Sequence, residues 1–338
     1  MPIQSNTFID ICHRRQKICF SRQERKMIGY IRKKTDEYNL DNISRTKAYI
    51  HYYLGNPEID WSLLASMVSR NAGWNMTDLA LRPMKQILKA KDRFILFHTY
   101  ERPNWLIFSD AFPQLLIYQF SKQKNRPYFH LLKAFNVSVF MEKEWETFWL
   151  TRDRGRLCTS QIVNEQQVIE KPVIRQNYLK NKVFNRMFFK FQEWLHQTSV
   201  IFPTMNGALY GFSVSRFTHV ENRIELGKQL AWLLFESPVC QDIRQFALNV
   251  EPTGSRSDYG RFQKEPEMDD ACLRHFYNPV KHHLSTMDDW FTGEVNDKWY
   301  GRPKLMPYDL THWYVKKQKQ IERTAALISL ICRKSKNE

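Results

Sequence analysis

Glycine is scarce in this chain, with 11 residues among 338. The sequence contains neither G-x-x-x-x-G-K-[ST] nor G-x-G-x-x-G, the two common loops that wrap phosphate groups in backbone amides. A nucleotide site of either kind is therefore excluded. Low glycine also disfavours collagen-like and linker-rich architectures.

Cysteine and histidine form no recognised metal or redox motif. The six cysteines are widely separated and none forms C-x-x-C, which disfavours a small disulfide scaffold. The densest group is Cys272 with His275, His282 and His283, and its spacing matches no structural zinc module. The sequence therefore predicts neither a metal nor a cofactor, and it leaves open whether the protein is an enzyme.

Long apolar runs are also missing. The most apolar region, 104–120, is interrupted by Ser109, Asp110, Pro113 and Gln114, and no stretch reaches the ~18 apolar residues of a membrane span. The first residues lack the apolar run of a secretory signal. Together with the scattered cysteines, these absences predict a cytoplasmic protein.

Helical signals dominate what is present. Apolar residues recur with helical spacing along most of the chain, while period-two alternation is nearly absent. We predict an all-α fold, a large multi-helix globular bundle that is rich in loops between about 251 and 308. Pro113 is predicted to divide 104–120 into two elements, and 202–215 is predicted to be an ordered loop.

The predicted helices fall into two lobes. The polar stretch at about 151–170 contains a glycine and few large apolar residues, which is typical of a connection. It separates an N-terminal helical lobe, 1–150, from a C-terminal helical lobe, 171–338. Residues 172–198 are predicted to form a helix rich in phenylalanine. We expect the two lobes to pack as one unit.

Positive charge is in excess and unevenly distributed. The formal net charge is +16, and the excess lies in 1–50, 151–200 and 301–338. If these regions meet in space, they form one positive face that attracts a polyanion such as nucleic acid. Six phosphate contacts to a duplex would give a log–log salt slope of about −5. The candidate phosphate-binding residues are Arg14, Arg15, Arg22, Arg25, Lys26, Lys33, Lys34, Lys316, Lys317 and Lys319.

Two alternatives to nucleic acid remain open. Basic helices with interleaved apolar residues also suit the surface of an anionic membrane, although core packing explains the same apolar residues equally well. In the first helix these residues are Phe8, Ile11, Ile18 and Phe20. The other alternative is an enzyme or a small-anion-binding protein, whose pocket would be formed by two polar turns at 69–78 and 253–259.

Each polar turn has a ligand-binding and a capping interpretation. In the first turn, Gly73 would close one helix and the polar residues would cap the next. In the second, Gly-Ser-Arg-Ser could hold an anion, or its serines could cap a short helix. The candidate ligand-binding residues are Arg70, Asn71, Trp74, Asp78, Arg256, Ser257 and Asp258.

Five segments also carry a family resemblance. They are ISRTKAY (43–49), PEIDWSLLASMVSRNAGWNMTDL (57–79), NWLIFSDAFPQLLIY (104–118), GKQLAWLLF (227–235) and TGSRSDY (253–259). These segments resemble the YppC-like family of Bacillus-type Firmicutes, whose domain has no assigned function. The resemblance covers most of the chain and implies a bacterial protein. It implies no reaction, cofactor or catalytic residue.

Overall fold

Helices dominate the structure, a computed structural model, as the sequence predicts. Only a two-stranded antiparallel sheet interrupts them within the described part of the chain. The residues described are 20–174, 199–213, 217–263, 271–283 and 288–334, with side chains described to 331. The predicted helix at 172–198 lies almost entirely outside these residues.

The elements are numbered in chain order. The larger helices are α1 (Arg22–Tyr38), α2 (Asn42–Gly55), α3 (Asp60–Asp78), α4 (Arg82–Ile87), α5 (Ala90–Lys124), α6 (Val139–Thr151), α7 (Arg154–Ile169), α8 (Val220–Phe235), α9 (Cys240–Asn249) and α12 (Thr311–Lys334). The shorter elements are a 3₁₀ helix (Phe129–Phe135), a π-helical turn (Glu170–Ile174), β1 (Ser199–Pro203), β2 (Leu209–Ser213), α10 (Ser257–Gly260), α11 (Leu273–Phe276) and a second 3₁₀ helix (Asp297–Tyr300).

Helix α1 begins at a capping box. The Ser21 hydroxyl accepts a hydrogen bond from the Glu24 amide at 3.2 Å, and the Glu24 carboxylate accepts one from the Ser21 amide at 2.7 Å. Two of the amides left unpaired at a helix start are thereby satisfied. Tyr30 contacts Phe120 near the C-terminal end of α5, whereas Tyr38 contacts Phe112, which lies closer to the middle of α5. Helices α1 and α5 therefore run antiparallel.

Helix α3 lies at the centre of the molecule. Nearly all of its side chains are buried, including Trp61 and Trp74. It packs against α2, α5, α7, α8 and β1. An apolar helix covered on all sides is expected when both stripes of its surface are hydrophobic. This helix therefore organises the main core.

Helix α5 continues through both of its prolines, so the predicted division at Pro113 is wrong. An internal proline removes one backbone hydrogen bond and costs about 3 kcal/mol. Around Pro113, Phe112, Leu115 and Ile117 are buried, and this apolar packing offsets the cost. Of the helices in the described ranges, none is both long enough and apolar enough to cross a bilayer.

The stretch predicted as a connection is mostly helix α7. Its apolar residues Leu157, Ile162 and Val163 are buried, and the helix packs against α5, α6 and α8. The main hydrophobic cluster includes residues from both sides of α7. Division of the chain into two lobes stays a prediction, whereas the connection is itself part of the core.

The predicted loop at 202–215 contains most of the β1–β2 hairpin. Ser199 pairs with Ser213, and Pro203 pairs with Leu209. Strand β1 packs on α3 and α9, while β2 packs on α8 and α12. Because helices cover the hairpin, the strands lack the polar–apolar alternation that reveals a half-exposed strand. The loop prediction is wrong for this reason.

Candidate functional site

The two predicted polar turns meet in the structure. Arg70 Nε donates a hydrogen bond to Asp258 Oδ2 at 2.8 Å, and both side chains are fully buried. The Trp74 indole donates to the same oxygen at 3.0 Å. The other Asp258 oxygen accepts hydrogen bonds from the amide and hydroxyl of Thr253. Asp258 therefore joins α3 to the segment after α9.

A second ion pair lies beside the first. Arg256 Nε donates to Asp78 Oδ2 at 2.6 Å, and another guanidinium nitrogen donates to Asn75 Oδ1 at 2.8 Å. A third nitrogen donates to the Tyr259 hydroxyl, which in turn donates to the Tyr314 hydroxyl. Each turn thus supplies one arginine that forms an ion pair with an aspartate of the other turn.

Gly73 lies within α3, so its predicted role at a helix end is wrong. A Cβ at this position would lie 3.3 Å from the Gly254 Cα. Gly254 has a φ of 73°, a left-handed conformation that glycine adopts without strain. Thr77 donates a hydrogen bond to the Gly254 carbonyl at 2.6 Å. The two glycines therefore permit close approach of the two segments.

The remaining predicted ligand-binding residues have distinct places. The Asn71 amide group pairs with both the carbonyl and the amide of Ile201, at 2.7 and 2.8 Å, and so fixes β1 against α3. Ser257 is partly exposed, and its backbone amide donates to the Ser255 hydroxyl at 3.3 Å. These hydrogen bonds do not connect Asn71 or Ser257 to the two ion pairs.

The charged side chains of the two turns neutralise each other in two ion pairs. Burial lowers the pKa of Arg70, and Asp258 opposes that shift. One guanidinium nitrogen, Nη1, has no hydrogen-bond partner in the described structure. The Arg70 guanidinium carbon lies 4.8 Å from the centre of the Phe246 ring, a favourable contact for a cation. Both arginines are matched by carboxylates of the protein itself, and ligand binding here stays a prediction.

The predicted nucleic-acid residues of the first helix lie on α1. Arg14 and Arg15 are outside the described residues. Arg22, Arg25 and Lys26 are exposed on the first turns. Further along the helix, Lys33 and Lys34 lie 3.8 and 2.7 Å from Glu37.

The predicted residues of the last helix lie elsewhere. Lys316 and Lys319 are exposed on α12, and Lys317 is partly exposed. Helix α12 packs on α4 and β2, whereas α1 packs on α5, α2 and the first 3₁₀ helix. That the basic regions of both chain ends form one positive face stays a prediction.

Five exposed or partly exposed residues form a ridge along α1 at a spacing of four. With 3.6 residues per turn, residues four apart lie next to each other on one helix surface. The ridge residues are Arg22, Lys26, Tyr30, Lys34 and Tyr38.

The second half of this ridge borders a groove between α1, α2 and α5. The groove has a volume of about 720 Å³. Tyr30, Lys34 and Tyr38 line it from α1, and Lys47 and His51 line it from α2. It therefore places tyrosine rings and cationic groups on one concave surface.

The tyrosine rings of the groove are open to solvent yet anchored. Tyr30 is 49% exposed and Tyr38 is 38% exposed. Each ring packs edge-on against a phenylalanine of α5, Tyr30 on Phe120 and Tyr38 on Phe112. The Lys34 ammonium lies 5.6 Å from the centre of the Tyr38 ring. These contacts hold the rings in place while leaving an exposed face.

Tyr52 of α2 also lines the groove, but its hydroxyl is buried. The Tyr52 side chain is 4% exposed, and its hydroxyl has no hydrogen-bond partner in the described structure. Burial raises the pKa of Tyr52 well above its usual range.

Sequence reasoning identified Lys34 and missed the other groove residues. The four-residue spacing of cations and tyrosines on α1 was available in the sequence, but the contribution of α2 depends on tertiary packing. In the residues that the structure describes, no group of three or more His, Cys, Asp or Glu side chains could hold a metal ion.

Comparison with known proteins supports the family resemblance. A family model described as "Protein of unknown function (DUF2515)" matches residues 37–318. The "Uncharacterized protein YppC" of Bacillus subtilis (strain 168) is 44% identical over 305 residues, which cover 90% of this chain and 95% of that protein. No solved structure matches the chain. The chain therefore belongs to the DUF2515 family, which also has no assigned function, and the predicted YppC-like relationship is confirmed.

Proposed function

We propose that this protein binds single-stranded nucleic acid along the α1 ridge and the adjoining groove. The observation that carries the proposal is the combination of exposed tyrosine rings with lysines on one concave surface between α1 and α2. Binding is non-catalytic and occurs in the cytoplasm, the location that the sequence predicts.

The cations of α1 provide the contacts to phosphate. Arg22, Arg25 and Lys26 are exposed at the first turns of α1, and Lys34 carries the same charge into the groove. Lysine and arginine that neutralise phosphates release condensed counterions, which makes binding favourable at low salt. The α1 surface therefore follows the backbone of the ligand.

The tyrosines provide the preference for single strands. Unpaired bases stack on aromatic rings, and each stacked base contributes about 1–3 kcal/mol. In a duplex, the base faces are covered by neighbouring base pairs and cannot reach Tyr30 or Tyr38. The groove geometry consequently favours splayed bases over a double helix.

The first test measures the anisotropy of a fluorescent oligothymidine at low salt. Replacing Lys26 and Lys34 together by alanine removes two phosphate contacts and should weaken binding by about tenfold or more. The matched control replaces Lys316 and Lys319 on α12, which removes the same charge from a helix that packs on α4 and β2. The control should bind like the unaltered protein.

Two results would contradict the proposal. One is equal weakening by both double variants, which would indicate a response to net charge alone. The other is flotation with phosphatidylserine vesicles in the absence of any oligothymidine binding, which would indicate a membrane surface instead.

The tyrosines are tested separately. Tyr30→Leu and Tyr38→Leu keep an apolar side chain and all positive charges but remove the stacking ring. Each should weaken oligothymidine binding while leaving duplex binding unchanged, and an equal loss for both ligands would argue against stacking.

A further inference from the structure

A second cavity, separate from the groove, lies between α5, α7 and residues 288–290. Its volume is about 230 Å³. At ~30 Å³ per water molecule, this space would hold about seven or eight water-sized atoms. It is therefore sized for a small molecule and not for a polymer. Its lining includes Asp110, Asp288, Asp289, Lys171, Phe135 and Trp290.

The Asp110 carboxylate is held in a fixed orientation at this cavity. Asn164 Nδ2 donates to Asp110 Oδ2 at 2.6 Å, and Gln114 Nε2 donates to the same oxygen at 2.7 Å. Each amide is itself oriented by an indole, because Trp290 donates to Asn164 Oδ1 and Trp145 donates to Gln114 Oε1, both at 2.9 Å. The network leaves little freedom for the carboxylate to rotate.

Only one of the two Asp110 oxygens is used by this network. The other oxygen, Oδ1, accepts no hydrogen bond from the residues that the structure describes and is not sealed from solvent. Since Asp110 lines the cavity, Oδ1 is available to a molecule inside it. A fixed acceptor with one open oxygen suits a ligand that donates hydrogen bonds.

The charge of the lining favours a positive ligand. Asp110, Asp288 and Asp289 are opposed by one cation, Lys171. Asp289 is partly engaged already, because its two oxygens accept hydrogen bonds from the amides of Val139 and Phe291. The rings of Phe135 and Trp290 add surfaces that attract a cation and cover an apolar body.

We propose that this cavity binds a small organic amine whose ammonium group pairs with Asp110 and whose hydrocarbon part packs against Trp290 and Phe135. The site is independent of the proposed nucleic-acid surface, since its lining residues come from other parts of the chain. A result that contradicts amine binding at this cavity therefore does not contradict nucleic-acid binding along α1.

Amine binding at this site depends on pH. Burial, together with the charge of Asp289, raises the pKa of Asp110 to about 7. The other charged or titratable groups facing it are Asp288 and Lys171 in the cavity and Tyr49 of α2. Because the ammonium pairs with the deprotonated carboxylate, affinity should rise about tenfold between pH 6 and pH 8.

The probe is cyclohexylamine, compared with its neutral isostere cyclohexanol by isothermal titration calorimetry at pH 8. The amine should bind and the alcohol should bind at least tenfold more weakly. Asp110→Asn keeps the acceptor for both amides and should weaken amine binding at least tenfold, with the pH dependence lost. Asp242→Asn removes the same charge from an exposed position on α9 and should have no effect.

A variant with the opposite effect makes the test independent of folding defects. Lys171 is exposed and makes no ion pair among the described residues, so Lys171→Gln should fold normally. Loss of this competing cation should strengthen amine binding a few-fold. The proposal is overturned if cyclohexylamine and cyclohexanol bind equally, if neither binds at millimolar concentration, or if Asp110→Asn binds the amine unchanged.

Discussion

At the scale of single residues, the buried Arg70–Asp258 pair connects segments that are distant in the chain. We expect Asp258→Asn to destabilise the protein by about 3–5 kcal/mol, because it leaves the buried Arg70 charge without its counter-ion. Urea denaturation of the variant and the unaltered protein measures this difference. Glu251→Gln removes an exposed carboxylate that pairs with Lys47, and it serves as the control, with no measurable loss expected.

Asp110 predicts a pH dependence of stability as well as of ligand binding. Its pKa is about 7 in the folded protein and about 3.9 in an unfolded chain. The folded state therefore binds the proton more tightly, and the contribution of Asp110 to stability falls as pH rises from about 4 to 7. The upper limit of this fall is about 4 kcal/mol.

The experiment compares thermal unfolding of the unaltered protein and Asp110→Asn across this pH range. The variant should become progressively more stable, relative to the unaltered protein, as pH rises toward 7. A constant difference at every pH would show that the carboxyl group titrates normally.

At the scale of elements, two helical glycines allow opposite predictions. A Cβ on Gly29 of α1 would meet nothing within 4 Å, so Gly29→Ala should stabilise the protein by about 0.5–1 kcal/mol through helix propensity. A Cβ on Gly73 of α3 would press on the Gly254 backbone. Gly73→Ala should therefore destabilise by about 1–2 kcal/mol despite the same gain in propensity. Denaturant midpoints measure both, and stabilisation by Gly73→Ala would contradict the close packing of α3 on this segment.

The same elements show how far sequence alone can reach. Helical periodicity is sufficient to predict α1 and most of α3, because the apolar residues of each helix face a common core. Periodicity cannot show that tertiary packing outweighs the cost of Pro113 or that helices cover both strands of the hairpin. The sequence also cannot show why residue 73 is a glycine, because the residue that requires its small size, Gly254, is remote in sequence.

The candidate sites were predictable in part. Charge counting identified the cations of α1, and the polar composition of the two turns identified residues that do meet. Composition could not reveal that these turns supply counter-ions to each other. The groove and the Asp110 cavity cannot be predicted from the sequence, because the groove depends on side chains from three separate segments and the cavity on side chains from four.

At the scale of the whole molecule, the net charge is +16, and the described cations of α1 and α12 lie on helices that pack on different elements. The proposed nucleic-acid surface uses only the part of that charge on α1. Helix α1 carries six cations, and one of them, Arg32, donates a hydrogen bond to the Ala134 carbonyl at 2.9 Å. The other five, which are the candidate residues, are taken as the phosphate contacts of this helix: Arg22, Arg25, Lys26, Lys33 and Lys34.

The salt dependence of oligothymidine binding tests this claim most directly. Five contacts to a single strand predict a slope of about −3.5 in a plot of log affinity against log salt concentration, and the variant lacking Lys26 and Lys34 should give about −2. The variant lacking Lys316 and Lys319 should keep the slope of the unaltered protein. A slope near zero, or one that changes only when the α12 lysines are removed, would contradict binding along α1.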